Sequence, residues 1–151
     1  MILNTSIFKQ TVETAKAKSA GNASILLGIE RATIEIEKAK YWSFSDGVLT
    51  LISTTSDERY VIDSAHECPA RSKTCKHLIA RRLMIRYFEN LTAAEAVAVA
   101  EREALMTEIK ANWTRRNPEF PLGLALQKRF GCNRLERVHP DYLPQIAAAL
   151  R

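Results

Sequence analysis

The sequence predicts an α+β protein, and three observations support this fold class. Apolar residues recur at helical spacing before residue 39 and again after residue 76. Between these segments, runs rich in aromatic and β-branched residues are separated by turn-forming residues, which predicts strands. A cluster of cysteine and histidine residues joins the last strand to the next helix. The expected order is two N-terminal helices, a three-stranded antiparallel meander with a Cys/His knuckle, a packing helix and a helical C-terminal extension.

The N-terminal part of the chain carries two helical patterns. Apolar residues share one face of a first helix at 5–19 and of a second helix at 23–38, and Gly21 with Asn22 separates the two. The run 34–37 alternates apolar and acidic residues, so a strand is the alternative interpretation there. We therefore expect a pair of helices before the sheet.

The meander is indicated by its turns. Asp46-Gly47 is a strong hairpin signal, because both residue types tolerate the positive φ angles of a two-residue turn. The polar run 54–58 turns the chain a second time. The expected strands cover residues 40–45, 48–53 and 59–64.

The rest of the chain is expected to be helical in separate pieces. A helix over 76–89 has an apolar side that should pack on the meander. Thr92 and Glu95 have the spacing of a capping box, which predicts a new Ala-rich helix from there to about residue 111. A linker at 112–121 contains two prolines, and Gly131 should end a short helix. The expected later helices are 121–130 and 141–150, and the expected domains are 1–90 and 91–151.

Four potential metal ligands lie close together as two pairs, His66-x-Cys68 and Cys75-x-His77. Zinc takes four tetrahedral ligands from thiolates and imidazoles. Residues two apart on a strand project to the same side, so His66 and Cys68 can converge on one ion. The odd cysteine count argues against a disulfide. The sequence therefore predicts a structural Zn²⁺ site with these four ligands.

The second pair requires a particular position relative to the following helix. Side chains two residues apart on a helix point in directions about 200° apart around the helix axis. Cys75 must therefore lie at or just before the helix start, with His77 in the first turn. Three other residues are alternatives to His66 as the fourth ligand: Asp63, Glu67 and Cys132.

The segment Cys75-Lys-His77-Leu-Ile-Ala80, with Tyr60-Val-Ile-Asp63 before it, resembles the SWIM-type zinc finger over about residues 41–90. That family has Cys-x-Cys, a variable loop and Cys-x-His between an aromatic-rich strand and a helix. Histidine stands at position 66, where the family usually has cysteine. The resemblance implies a zinc-binding module that serves DNA or protein partners in transposase-like, recombination and chromatin contexts.

Positive charge is concentrated around the knuckle. Six of the 22 basic residues and none of the 17 acidic residues lie between Cys68 and Phe88. Such a local excess attracts phosphates, because each contact releases condensed counterions. We therefore expect a nucleic-acid-binding module that prefers DNA to RNA. The expected contact residues are Arg71, Lys73, Lys76, Arg81, Arg82 and Arg86.

A different class of function is the alternative. The Ala-rich segment after residue 92 allows another helix to approach closely, which suits a zinc-stabilised protein-interaction adaptor in a DNA recombination, transposition or regulatory complex, or a homodimer formed through the C-terminal helices. Catalysis is not expected. Cys132 and His139 could form a nucleophile–base pair, but no Gly-rich phosphate loop or paired carboxylates accompany them.

The sequence also bears on location. No apolar run approaches the about 18 residues of a transmembrane helix. The first residues lack the basic region and apolar stretch of a secretory signal. We therefore expect an intracellular protein (cytoplasmic, nucleoid or nuclear) with no membrane partner.

Overall fold

The structure is a computed structural model that describes residues 2–53, 57–66 and 75–151. Within these ranges it contains five helices and three strands, so the α+β class is confirmed. The chain forms two compact units, Met1–Thr92 and Ala93–Arg151. The helices are α1 Thr5–Lys18, α2 Ala23–Lys38, α3 Lys76–Arg116, α4 Leu122–Phe130 and α5 Leu143–Ala149, and the strands are β1 Tyr41–Ser45, β2 Val48–Ile52 and β3 Arg59–Ile62.

The two N-terminal helices begin at asparagine caps. The side chains of Asn4 and Asn22 accept hydrogen bonds from the backbone N–H groups of Ile7 and Ile25, at 3.2 and 3.1 Å. Each cap satisfies one of the N–H groups that a helix start leaves without a partner. The run 34–37 belongs to α2, so the strand alternative is wrong.

The three strands form an antiparallel sheet in the order β1-β2-β3. Asp46 and Gly47 both have positive φ, at 50° and 74°, and Ser45 pairs with Val48 across this turn. The hairpin prediction is therefore confirmed. The second predicted turn, 54–58, falls partly on residues 54–56, which lie outside the described residues.

The core of the first unit lies between the sheet and the helices. Alternation along β2 turns Leu49 and Leu51 to the same side, where both are fully buried. Tyr87 of α3 is also buried, and its hydroxyl accepts a 2.9 Å hydrogen bond from the backbone N–H of Asn4. The predicted apolar side of α3 is confirmed. Its buried residues are Ile79, Ala80, Leu83, Met84 and Tyr87.

Helix α3 is longer than predicted. It runs without interruption for 41 residues, through the capping box expected at Thr92 and into the linker expected at 112–121. The segment 89–95 contains no glycine or proline, so nothing in it breaks a helix. The helix ends at Arg116 because Pro118 follows closely and disfavours helical geometry in Asn117.

The second unit has its own small core. Ile109 and Leu126 pack there with Leu135 of a 3₁₀ turn, Leu135–Arg137, and with residues of α5. A second 3₁₀ turn, Pro140–Tyr142, directly precedes α5. Gly131 ends α4 with a left-handed φ of 68°, as its sequence position predicts. A Cβ on Gly123 would lie 2.9 Å from the carbonyl oxygen of Asn133, so a close backbone approach requires glycine there. The other buried members are Leu143, Ala147 and Val138.

Candidate metal centre

Three side chains of the first unit converge, one from the segment after β3 and two from the start of α3. The potential ligand atoms of His66, Cys75 and His77 all lie within 4.8 Å of one another. His66 follows β3, Cys75 directly precedes α3, and His77 lies in its first turn. The carbonyl of Cys75 accepts a 3.1 Å hydrogen bond from the N–H of Ile79, as expected for a cap residue. The predicted placement of Cys75 and His77 relative to the helix is confirmed.

The cluster could hold a metal ion. Ligand atoms of a tetrahedral zinc ion lie about 3.3–3.8 Å apart, given bonds of about 2.0–2.3 Å, so a small inward movement is sufficient. The rings of His66 and His77 are nearly perpendicular, with centroids 5.4 Å apart. The Nε2 atom of His66 is buried and makes no hydrogen bond to the described part of the chain. A buried imidazole nitrogen without such a bond is a suitable metal ligand.

One of the four predicted ligands, Cys68, lies outside the described residues, in the segment 67–74. Glu67, one of the alternatives to His66, lies in the same segment. Asp63 is not in the cluster, and its Oδ1 accepts a 2.9 Å hydrogen bond from the N–H of Ala65. Cys132 packs against the core of the second unit. Among the described residues, the cluster is therefore formed by two imidazoles and one thiol.

The surroundings of His77 favour its neutral, metal-binding form. The ring of Tyr60 on β3 stacks on the imidazole with centroids 4.4 Å apart. Burial lowers the pKa of His77 below its ordinary value of 6.5, and the positive charge of Lys76 lowers it further, while Glu35 opposes them. Since a metal ion competes with protons for imidazole nitrogen, a lowered pKa makes the ligand available at neutral pH.

Glu35 connects helix α2 to the site. The i,i+4 spacing predicts Arg31 as its partner. Instead, its carboxylate forms an ion pair with Lys76, the residue between the two helix-start ligands. Burial raises the pKa of Glu35, but hydrogen bonds from Lys76 and Ser53 and the charge of Lys76 together hold the pKa below its ordinary value. In the sequence, the only indication that Glu35 could contact the site is that it directly precedes Ile36, which is buried.

We expect acid to reveal the contribution of Glu35 to stability. Its pKa is lower in the folded chain than the ordinary 4.5, so its contribution is complete above that value and is lost as the pH falls through the folded pKa. Glu35→Gln should cost about 1–2 kcal/mol at pH 7. We would measure the free energies of urea unfolding of the wild type and of Glu35→Gln in chelator from pH 7 to 3. The two free energies should converge on acidification. A constant difference between them would contradict this role.

The structure separates the predicted cationic contacts into different groups. Arg71 and Lys73 lie outside the described residues. Lys76 is bound to Glu35. Arg81 was expected on the exposed side of α3 but is half-buried, because its Nε donates a 2.6 Å hydrogen bond to the carbonyl of Gly47 in the hairpin turn.

Two of the predicted cations remain at the surface of α3. Arg82 is exposed and makes no hydrogen bond or ion pair within the described ranges. Arg86 is also exposed and pairs with Glu89 of the next turn at 2.6 Å. Such an exposed pair is weak and can exchange its carboxylate for a phosphate.

The aromatic residues of the meander divide between core and surface. Trp42 and Phe44 pack on Phe88 of α3, with ring centroids 6.5 and 5.1 Å apart. Tyr41 faces the other side of β1 and is 52% exposed. Core packing is therefore the role of Trp42 and Phe44, whereas Tyr41 is accessible.

Comparison of the chain with protein-family models, with curated proteins and with solved structures finds no match. In the part of the chain that the structure describes, no helix combines the length and apolar character needed to cross a membrane. Function is therefore inferred from the chemistry of the site.

Proposed function

We propose that the first unit is a zinc-stabilised nucleic-acid-binding module, with Zn²⁺ held by His66, Cys75, His77 and Cys68. The convergence of the three described ligand atoms within 4.8 Å carries the metal part of this proposal. Mixed sulfur and nitrogen donors favour zinc over magnesium or calcium, which prefer oxygen. The resemblance of the Cys75–Ala80 segment to the SWIM-type zinc finger supports the choice of Cys68 as the ligand that completes the set.

The proposed role of the ion is structural. A site closed by four protein ligands leaves no position for substrate or activated water. The described ligands come from the segment after β3 and from the start of α3, so the ion would fix the first turn of the helix against that segment. The positive end of the helix dipole favours a thiolate at Cys75. Elemental analysis of the chain purified without added metal should find about one zinc per chain.

The proposed nucleic-acid contact is the exposed side of α3 close to the metal. Arg82 and Arg86 are its described members, and Arg71 with Lys73 are proposed to extend it. Two thiolates and one Zn²⁺ sum to zero formal charge, so the ion leaves the neighbouring cations available for phosphates. Because Lys76 and Arg81 already have partners within the protein, we assign them to structure rather than to contact.

Replacing both exposed arginines tests this assignment. Arg82→Gln with Arg86→Gln should weaken binding of the zinc-loaded chain to duplex DNA and lower the slope of log affinity against log salt by about one unit for each lost contact. A fluorescence-anisotropy salt series provides the measurement. The matched control is Lys9→Gln with Arg31→Gln, which removes two exposed positive charges elsewhere in the same unit.

The control separates a local contact from the loss of net charge. Equal losses in the two double variants would reject the α3 contact. A protein partner bound at fixed stoichiometry and unaffected by salt would favour the interaction-adaptor alternative instead.

A further inference from the structure

The second unit carries a separate cationic surface, here called the α4 surface. It begins in the last turn of α4 and continues through the first 3₁₀ turn. Four basic residues lie in it, and all are exposed. They are Lys128, Arg129, Arg134 and Arg137.

None of these cations donates a side-chain hydrogen bond or forms an ion pair within the described chain. The nearby carboxylate of Glu136 pairs with Lys110, with Nζ and Oε1 3.2 Å apart, and the charge of Arg134 acts on it without forming an ion pair. Asp141 lies within 3.4 Å of Nδ1 of His139. The α4 surface is therefore freer to bind an anion than the predicted contacts Lys76 and Arg81 of the first unit.

Aromatic rings lie among these charges. The guanidinium of Arg129 lies 5.5 Å from the ring centroid of Phe130. Phe130 in turn packs against Tyr142, with centroids 5.5 Å apart, and Tyr142 contacts the ring of His139. Tyr142 is 47% exposed, so part of the residue is accessible to solvent. Cations beside an accessible aromatic ring are typical of surfaces that bind single strands, where bases stack and phosphates pair with arginine.

The backbone brings the two ends of the charged segment alongside one helix. The chain leaves α4 at Gly131 and returns, so that the carbonyl of Asn133 lies beside Gly123 near the start of the same helix. Arg134 follows directly, whereas Lys128 and Arg129 lie in the last turn of α4. The nine residues of α4 span about 13 Å. Arg134 and the pair Lys128 and Arg129 therefore lie toward opposite ends of α4, a distance that successive phosphates of an extended strand can follow.

We propose that the α4 surface binds single-stranded nucleic acid, with arginine–phosphate contacts and one base stacked on Tyr142. It shares its class of partner with the proposed function but does not depend on the metal, because its residues belong to the second unit. The chain would then hold nucleic acid at two places, one of them selective for unpaired bases.

The test measures binding of the full zinc-loaded chain to a labelled oligothymidine strand and to a duplex over a salt series. The variant carries Arg129→Gln, Arg134→Gln and Arg137→Gln. It should lose about tenfold or more in affinity for the strand, and its salt slope should fall by about two units, since each lost phosphate contact contributes about 0.7. Tyr142→Leu keeps an apolar side chain against Phe130 and should lower the ratio of strand to duplex affinity about tenfold.

The matched control carries Lys9→Gln, Arg31→Gln and Arg115→Gln, all exposed residues outside the α4 surface. Circular dichroism checks that every variant is folded. The proposal is overturned if the arginine variant binds like this control, or if Tyr142→Leu leaves the affinity ratio unchanged. It is also overturned if the α4 arginines are needed for binding anionic phospholipid vesicles and not for binding the strand. The double variant Arg82→Gln with Arg86→Gln and the removal of metal both change the first unit. If the proposed function fails, these two treatments leave duplex binding unchanged, whereas the α4 variants still weaken binding to the strand.

Discussion

Cys75→Ser is expected to abolish stoichiometric zinc and to remove the stabilisation that the ion confers. Cys75 is buried at the start of α3, and its sulfur is the one thiol among the described residues of the cluster. Removing a residue that only hydrogen-bonds to a metal ligand weakens metal binding about 10–100-fold, so removing a ligand itself should weaken it more. With free zinc at about a thousandfold excess over its dissociation constant, the wild-type chain gains about 4 kcal/mol that the variant lacks.

Thermal unfolding with and without chelator isolates this effect. In chelator the two proteins should unfold at similar temperatures, because serine differs from cysteine by one atom. With zinc, only the wild type should shift upward. Cys132→Ser, which alters a thiol in the second unit, should retain the metal. Cys68→Ser should lose it if Cys68 is a ligand. Full zinc content in Cys75→Ser would reject the proposed ligand set.

Tyr87→Ala should destabilise the first unit by about 3–5 kcal/mol. Tyr87 is among the largest fully buried side chains, and its ring packs edge-on against Phe8 with centroids 5.9 Å apart. Its hydroxyl also accepts the hydrogen bond from Asn4, which connects α3 to the start of α1. The substitution removes the packing and the hydrogen bond together. Urea unfolding followed by circular dichroism gives the free energy.

Tyr87→Phe separates the two contributions. It keeps the ring and loses only the hydroxyl, so about 1 kcal/mol should be lost, together with any penalty for leaving the N–H of Asn4 without this acceptor. A loss in Tyr87→Ala no greater than that in Tyr87→Phe would contradict the packing described here.

Local chemistry made several elements predictable from the sequence. Asp46-Gly47 produces the hairpin because few residue pairs accept two positive φ angles, and Gly131 ends α4 for the same reason. The position of Cys75 followed from helix geometry alone. In each case a few neighbouring residues determine the outcome, so the sequence contains the whole cause.

Other features depend on residues that are far apart in the chain. Glu35 pairs with Lys76 rather than with Arg31, and Arg81 reaches Gly47, because tertiary packing brings these groups together. The length of α3 differs from the prediction for another reason. The capping-box spacing at Thr92 predicts a helix start, but no glycine or proline separates Thr92 from the preceding helix, so that helix continues.

The α4 surface was not visible in the sequence as a site. Its basic residues are no denser than those of many solvated helices, and the local excess of positive charge in the sequence lies after Cys68 instead. What distinguishes them is the absence of internal partners within the described chain and the nearby rings, both of which are properties of the folded unit.

Gly123 shows how a residue without functional groups can determine where charges lie. No side chain fits between it and the returning backbone at Asn133, so a larger residue there must push Arg134 away from α4. Gly21, by contrast, has open space around it, so a larger residue fits there without displacing a neighbour. A surface defined by arginines can thus be dismantled by a change at a position that never meets the ligand.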